Sequence, residues 1–299
     1  AAKFRDLNGE LSIIDAGAGV GSLTAALVER ALNDFSPTSI SANVWEIEDV
    51  LVNNLHHSLK LCEQVSVESE VVWHSKINRI DFINHAVTLI KQRELGQKVD
   101  SFNKAILNPP YLKIASSSEE RKLLRSVGIE TGNLYSCFVA LALMLLDHGG
   151  ELVAITPRSF CNGPYFNDFR RVLLDGNNLN KLHVFESRTS AFKGDSVLQE
   201  NVIFHIIKNE FQGPVEITSS TCASDPNPIT RMADFNEVVN KNNLDRFIHI
   251  VTNNEQADIA SRIGGMPCSL EDLGIEVSTG KVVDFRTKQN LRDNPGENT

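Results

Sequence analysis

Short, mostly apolar runs alternate with stretches of helically spaced apolar residues over the first two-thirds of the chain. Residues 11–16 read as a buried strand, and the following SLTAALVERALN places apolar side chains at helical spacing, predicting a helix over 21–33. Further strands are predicted at 40–46, 71–74, 104–108 and 152–156, with helices at 47–62, 82–93 and 134–146. Two prolines stop the strand at 104–108, and Gly149-Gly150 closes the helix before it. Residues 166–174, 182–186 and 201–208 continue as helix, strand and strand. Strands that alternate with helices pack as a doubly wound α/β fold with a mostly parallel sheet. Beyond Asn209 the texture changes: Asp225-Pro226-Asn227-Pro228 is turn-rich, and the later segments are short and polar. The chain therefore divides, on this pattern, into a domain over 1–210 and the beginning of a second region over 211–299.

Composition narrows the function classes. With 41% hydrophobic residues among 299, a packed core is affordable. No run approaches the roughly 20 apolar residues of a membrane-spanning helix, and AAKFRDLNGE has no secretion-signal pattern. No membrane association is expected. Five scattered cysteines without a CxxC pair argue against zinc and suit reduced thiols in the cytoplasm. The net charge of −9 weighs against a nucleic-acid partner, though a basic cleft can coexist with an acidic back.

Two segments carry chemistry. Asp15-Ala16-Gly17-Ala18-Gly19-Val20-Gly21 joins the first strand to the first helix. Gly17, Gly19 and Gly21 allow a tight turn that brings backbone close to a ligand. An acid at the strand end would repel a pyrophosphate but suits a cationic ligand end, such as the amino group of S-adenosylmethionine. The bland alternative is a plain strand-to-helix turn. Glu46, closing the second strand, can accept both hydroxyls of a ribose; otherwise it is a helix-start acid. Asp81 and Phe82 follow the third strand and suit an adenine, by a hydrogen bond and a ring face. The alternative is an N-cap and a core aromatic.

The second segment, Asn108-Pro109-Pro110-Tyr111, ends the fourth strand, where open sheets bind ligands. Two prolines make it stiff and remove N–H donors. The Asn108 amide oxygen and the Pro109 carbonyl can then each accept an N–H from an amine. Tyr111 offers a ring to a planar group, the logic of base flipping.

With these segments the chain resembles the γ-class N6-adenine-specific DNA methyltransferases of restriction–modification systems. DAGAGVGSL is similar to the family's first cofactor motif, Glu46 to its second, Asp81-Phe82 to its third and NPPY to its catalytic motif. AFKGDSVLQENVIF resembles the later motif whose aromatic, here Phe192, stacks on the extruded base, and VSTGKVVDFR (277–286) the start of a recognition region. The resemblance implies a Rossmann-like class I methyltransferase fold, S-adenosylmethionine as cofactor, double-stranded DNA as substrate and no metal. It leaves room for a cognate restriction endonuclease. Only fourteen residues precede Asp15, where the family usually carries a further cofactor motif, and the recognition region stops early. The chain thus reads as truncated at both ends. NPPY also serves glutamine amides of proteins and guanine amines of RNA, so those substrates stay open, as does an inactive DNA-binding or scaffold subunit.

Overall fold

The computed structural model describes residues 1–185, 200–222, 225–240, 244–268, 270 and 272–276. In chain order the elements are β1 (Gly9–Ala16), α1 (Ser22–Asp34), β2 (Pro37–Trp45), α2 (Asp49–Glu68), β3 (Val72–Asn78), α3 (Phe82–Glu94) and β4 (Phe102–Leu107). There follow α4 (Glu119–Arg125), α5 (Leu134–Leu145), β5 (Leu146–Pro157), α6 (Asn167–Leu174), β6 (Asn178–Phe185), β7 (Asn201–Ile207), β8 (Val215–Ser220), β9 (Ile229–Ala233), α7 (Phe235–Val238) and α8 (Asn254–Gly264).

The nine strands form one sheet in the order β3-β2-β1-β4-β5-β7-β6-β8-β9. The first five pair in parallel, and β7 runs antiparallel between β5 and β6. This is the doubly wound α/β fold expected from the alternation. The chain winds outward from β1 through β2 and β3, then returns to add β4 and β5 on the other side, so the order reverses between β1 and β4. Side chains alternate between the two faces. Ile13, Ile106 and Val153 pack with Leu27 and Val28 of α1, while Ile14, Leu107 and Leu152 pack with α3 and α5. Helix α5 is buried almost all round, which explains its uninterrupted apolar sequence LYSCFVALALML.

One predicted boundary moves. Helix α5 stops at Leu145 and β5 starts at once, so Gly149 and Gly150 lie inside the strand rather than closing the helix. There Gly149 donates to the Lys208 carbonyl and Lys208 to that of Gly150, an irregular stretch in which a Cβ at Gly150 would lie 3.0 Å from the Asp147 carbonyl oxygen. The compact unit that holds the sheet runs from Ala1 to Asn254, and Glu255–Thr299 form a second unit. Beyond residue 210, β8 hydrogen-bonds to β6 and β9 to β8, so the polar, turn-rich texture marks the sheet's edge. No helix among the described residues is long and apolar enough to cross a membrane.

Candidate functional site

A cleft of about 730 Å³ opens at the carboxyl ends of the parallel strands, beside the reversal between β1 and β4. Gly17, Gly19, Glu46, Asp81, Phe82, Asn108 and Pro110 all line it. Residues up to 93 positions apart in sequence are thus brought together (Gly17 to Pro110). Strand ends at a switch point form such a crevice because the helices on the two faces diverge there.

The glycine turn is shaped by its own hydrogen bonds. The Gly17 and Ala18 N–H groups both donate to the Trp45 carbonyl at 3.0 Å, and Gly21 donates to the Ala18 carbonyl at 2.9 Å. Gly19 N–H donates to Glu46 Oε2 at 2.9 Å. These donors are committed within the chain, so they do not form the open nest of N–H groups a phosphate needs. Gly21 lies away from the cleft. With φ at +85° and an added Cβ only 2.8 Å from Leu55, it serves the packing of α1 against α2.

Glu46 is buried at the cleft floor. Besides Gly19, it accepts from the Ile47 and Glu48 N–H groups at 2.8 and 2.9 Å through Oε1. These bonds fix the carboxylate plane and occupy three of its roughly four acceptor positions, leaving one, on Oε2, for a hydroxyl donor. Asp81 fills both roles weighed for it. Its Oδ1 caps α3 through Asn84 N–H at 2.9 Å, and it also lines the cleft. Phe82 is buried in the core, packed edge-on to Trp45 at 5.2 Å, with one side toward the cleft. Sequence reasoning missed the apolar walls, Ile47, Ile80 and Leu112, which are at least 48% exposed. Their signal was adjacency: each stands beside a motif residue, and an exposed aliphatic there has no core to join.

Asp15 is fully buried and does not line the cleft. Thr24 Oγ1 donates to its Oδ2 at 2.7 Å, while Oδ1 has no hydrogen-bond partner among the described residues. Burial drives its pKa up to about 7. It stands beneath the turn as a support, with one acceptor unused.

Tyr111 lies outside the cleft lining; its O–H donates to Asn108 Oδ1 at 3.0 Å and approaches the Ile155 carbonyl at 3.4 Å. The acceptor assigned to an incoming amine is therefore capped by the neighbouring phenol, which also orients the amide. Burial pushes the Tyr111 hydroxyl up to about 12, so it stays protonated and able to donate. Pro109 is buried behind Asn108. Phe192 and residues 277–286 lie outside the described residues. Among the described residues no group of three or more His, Cys, Asp and Glu is placed to hold a metal ion.

Comparison with known proteins gives the site its setting. The chain is 57% identical over 289 residues to Type II methyltransferase M.PstI of Providencia stuartii, and 44% identical over 290 residues to Type II methyltransferase M.BsuBI of Bacillus subtilis. Each match takes in 96% of this chain and 56% of the relative, so the chain spans little more than half the length of these proteins. The fold is similar to that of a Listeria monocytogenes protein assigned to the class I S-adenosylmethionine-dependent methyltransferases, with a TM-score of 0.51 and 13% identity, covering 73% of this chain and 60% of that one. The family model for the Eco57I restriction-modification methylase matches residues 32–192. That stretch takes in Glu46, Asp81 and the whole Asn108–Tyr111 segment, and the chain belongs to the Eco57I restriction-modification methylase family.

Proposed function

We propose that the cleft binds S-adenosylmethionine and that the chain methylates the N6 amine of an adenine drawn out of double-stranded DNA, within a restriction–modification system. One observation carries this reading: Asn108 and Pro110 share a single cleft with Gly17, Gly19, Glu46 and Asp81. A cofactor and an amine acceptor site would thus lie within one ligand's length. The residues fit the cofactor. Glu46 has an Oε2 lone pair left for a ribose hydroxyl, Asp81 has an oxygen free of its capping bond for an exocyclic amine, and Ile47, Ile80 and Phe82 give an apolar slot for a ring. When bound, the cofactor supplies an electrophilic methyl on sulfur.

This chain's residues do the positioning. The target base displaces the Tyr111 hydroxyl from Asn108 Oδ1, and its amine donates there and to the Pro109 carbonyl. The ring of Tyr111 packs on one face of the base, and Phe192 is proposed for the other. An aromatic amine is neutral at pH 7, so orientation and hydrogen bonding carry the step without a strong base. Residues 211–299 would begin the DNA-recognition region, and a cognate restriction endonuclease would be the partner in the cell. The naming of both relatives as Type II methyltransferases supports DNA as substrate.

The test is transfer of tritiated methyl from S-adenosylmethionine to unmethylated DNA, followed by nucleoside chromatography. Label should appear in N6-methyladenine. Asn108→Ala should lower the rate by about 10²–10³, the effect of losing one transition-state hydrogen bond. Absence of label from the DNA, with label appearing in RNA or protein offered in parallel reactions, would overturn the adenine reading. So would full activity in Asn108→Ala.

A further inference from the structure

Adjacent residues on the loop after β5 point in opposite directions. Phe166 is buried, with its ring centroid 5.7 Å from that of Tyr135, whereas Tyr165 is 90% exposed. Tyr135 meets Tyr111 edge-on at 6.2 Å. Its hydroxyl lies 3.3 Å from Ser159 Oγ on the same loop. A run of packed rings, Tyr111, Tyr135 and Phe166, therefore leads from the Asn108 segment to the crest that carries Tyr165.

That crest is rigid. Gly163 N–H donates to the Ser159 carbonyl at 2.9 Å, and Phe166 N–H to the Gly163 carbonyl at 3.2 Å. The guanidinium of Arg170, fully buried on α6, donates through Nη1 to the Phe160 and Gly163 carbonyls, both at 2.8 Å. It is held in turn by the Asp245 carbonyl at 2.6 Å and the Phe247 ring at 4.9 Å. A Cβ at Gly163 would lie 2.6 Å from the Ser159 carbonyl oxygen, so the turn closes only around glycine. Pro164 then fixes the backbone leading into Tyr165. A large apolar ring left in water on so constrained a loop has little freedom to lose on binding, the property of contact anchors. Arg158 on the loop and Arg171 on α6 lie close to it in sequence, both partly exposed. Arg158 pairs with Glu200 at 3.6 Å and Arg171 with Asp168 at 4.0 Å. An exposed planar ring held in this way suits stacking on a nucleobase.

We propose that Tyr165 is a nucleic-acid contact that stacks on a base adjoining the one taken into the Asn108–Tyr111 site. The inference rests on the DNA reading above, and its test separates the two. The unliganded chain is titrated into a fluorescein-labelled DNA duplex with a central mismatch, whose bases are partly unstacked, and anisotropy is followed. Tyr165→Ala should weaken binding by about 5- to 150-fold, the equivalent of the roughly 1–3 kcal/mol per stacked base. Tyr165→Trp should retain affinity. Tyr165→Leu, apolar but without a ring face, should lose it as Ala does. Because the side chain is exposed, all three variants should melt with the parent. Parent-like binding by Tyr165→Ala, or by Tyr165→Leu, overturns the inference and leaves the DNA reading standing. A parent that binds no duplex removes the DNA reading and this inference with it.

Discussion

Asp15 and Asn108 each hold an acceptor in a state other than the one their chemistry would suggest. Asp15 sits sealed under the glycine turn, its Oδ1 unpartnered among the described residues, and its carboxyl is raised from 3.8 to about 7 by burial. An acid raised on folding stabilises the fold most at low pH, where it is protonated in both states. That stability is lost as pH rises from about 4 to about 7. Asp15→Asn keeps the bond from Thr24 and removes the titration. In urea denaturation its advantage over the parent should therefore grow across that window, by at most about 1.4 kcal/mol per pH unit, and level off above pH 7. A constant difference between pH 4 and 8 would show that burial does not govern this carboxyl. The identities of Glu46, Asp81 and Asn108 as cleft residues were legible from sequence because each ends a strand or starts a helix beside a turn signal. Whether Asp15 faces the cleft was not legible, because strand pattern alone cannot say which side of a turn an acid supports. Nor could spacing reveal that Tyr111 caps Asn108, a contact set by the Ile155 strand alongside.

At the scale of elements, the alternation of periods gave the parallel half of the sheet. Ends were sharp where proline or a cap intervened, as at Asn108 and Asp81. They blurred where no chain breaker stood, as between α5 and β5. Helix α4 was missed because its seven residues, EERKLLR, are too few to show a period. Strands β8 and β9 were missed because edge strands tolerate the polar residues that read as loop. The same limits hide Arg170, whose sequence setting NDFRRVLL suggests a surface arginine on an amphipathic helix. The fold instead spends it as a buried clamp on three carbonyls. Arg170→Met should lower stability by about 3 kcal/mol, since bonds to a charged donor are strong and their buried acceptors would be left unpaired. It should also open residues 158–166 to limited proteolysis before the rest of the chain unfolds. An unchanged urea midpoint and an uncut loop would argue against the clamp.

Across the whole molecule, the strands that carry the cleft at their carboxyl ends are tied down near their amino ends by buried charge. Lys104 of β4 and Glu151 of β5 are register partners, and Lys104 Nζ donates to Glu151 Oε1 at 2.7 Å. His205 Nε2 on β7 lies 2.8 Å from Oε2, and the Arg5 N–H donates to the same oxygen at 2.7 Å. One carboxylate thus joins three neighbouring strands to the segment before β1, whose Phe4 and Leu7 are buried on the α1 face of the sheet. Burial alone would raise Glu151, but His205, Lys104 and the Arg5 amide together hold it at about 2, against an ordinary 4.5. A carboxyl depressed on folding contributes stability above its unfolded pKa and loses it as pH falls from about 4.5 toward 2, the opposite slope to Asp15. Glu151→Ala leaves Lys104 buried without its partner and should cost about 3–5 kcal/mol at pH 7. Glu151→Gln keeps volume and one acceptor and should cost less. Both deficits should shrink in urea titrations run toward pH 2–3, where the parent's carboxylate is itself being neutralised. Because the cluster sits near the far end of the strands from Asn108, the folded fraction of either variant should keep the parent's cofactor affinity by calorimetry. Weaker cofactor binding at full folding would mean that the two ends of the sheet are coupled.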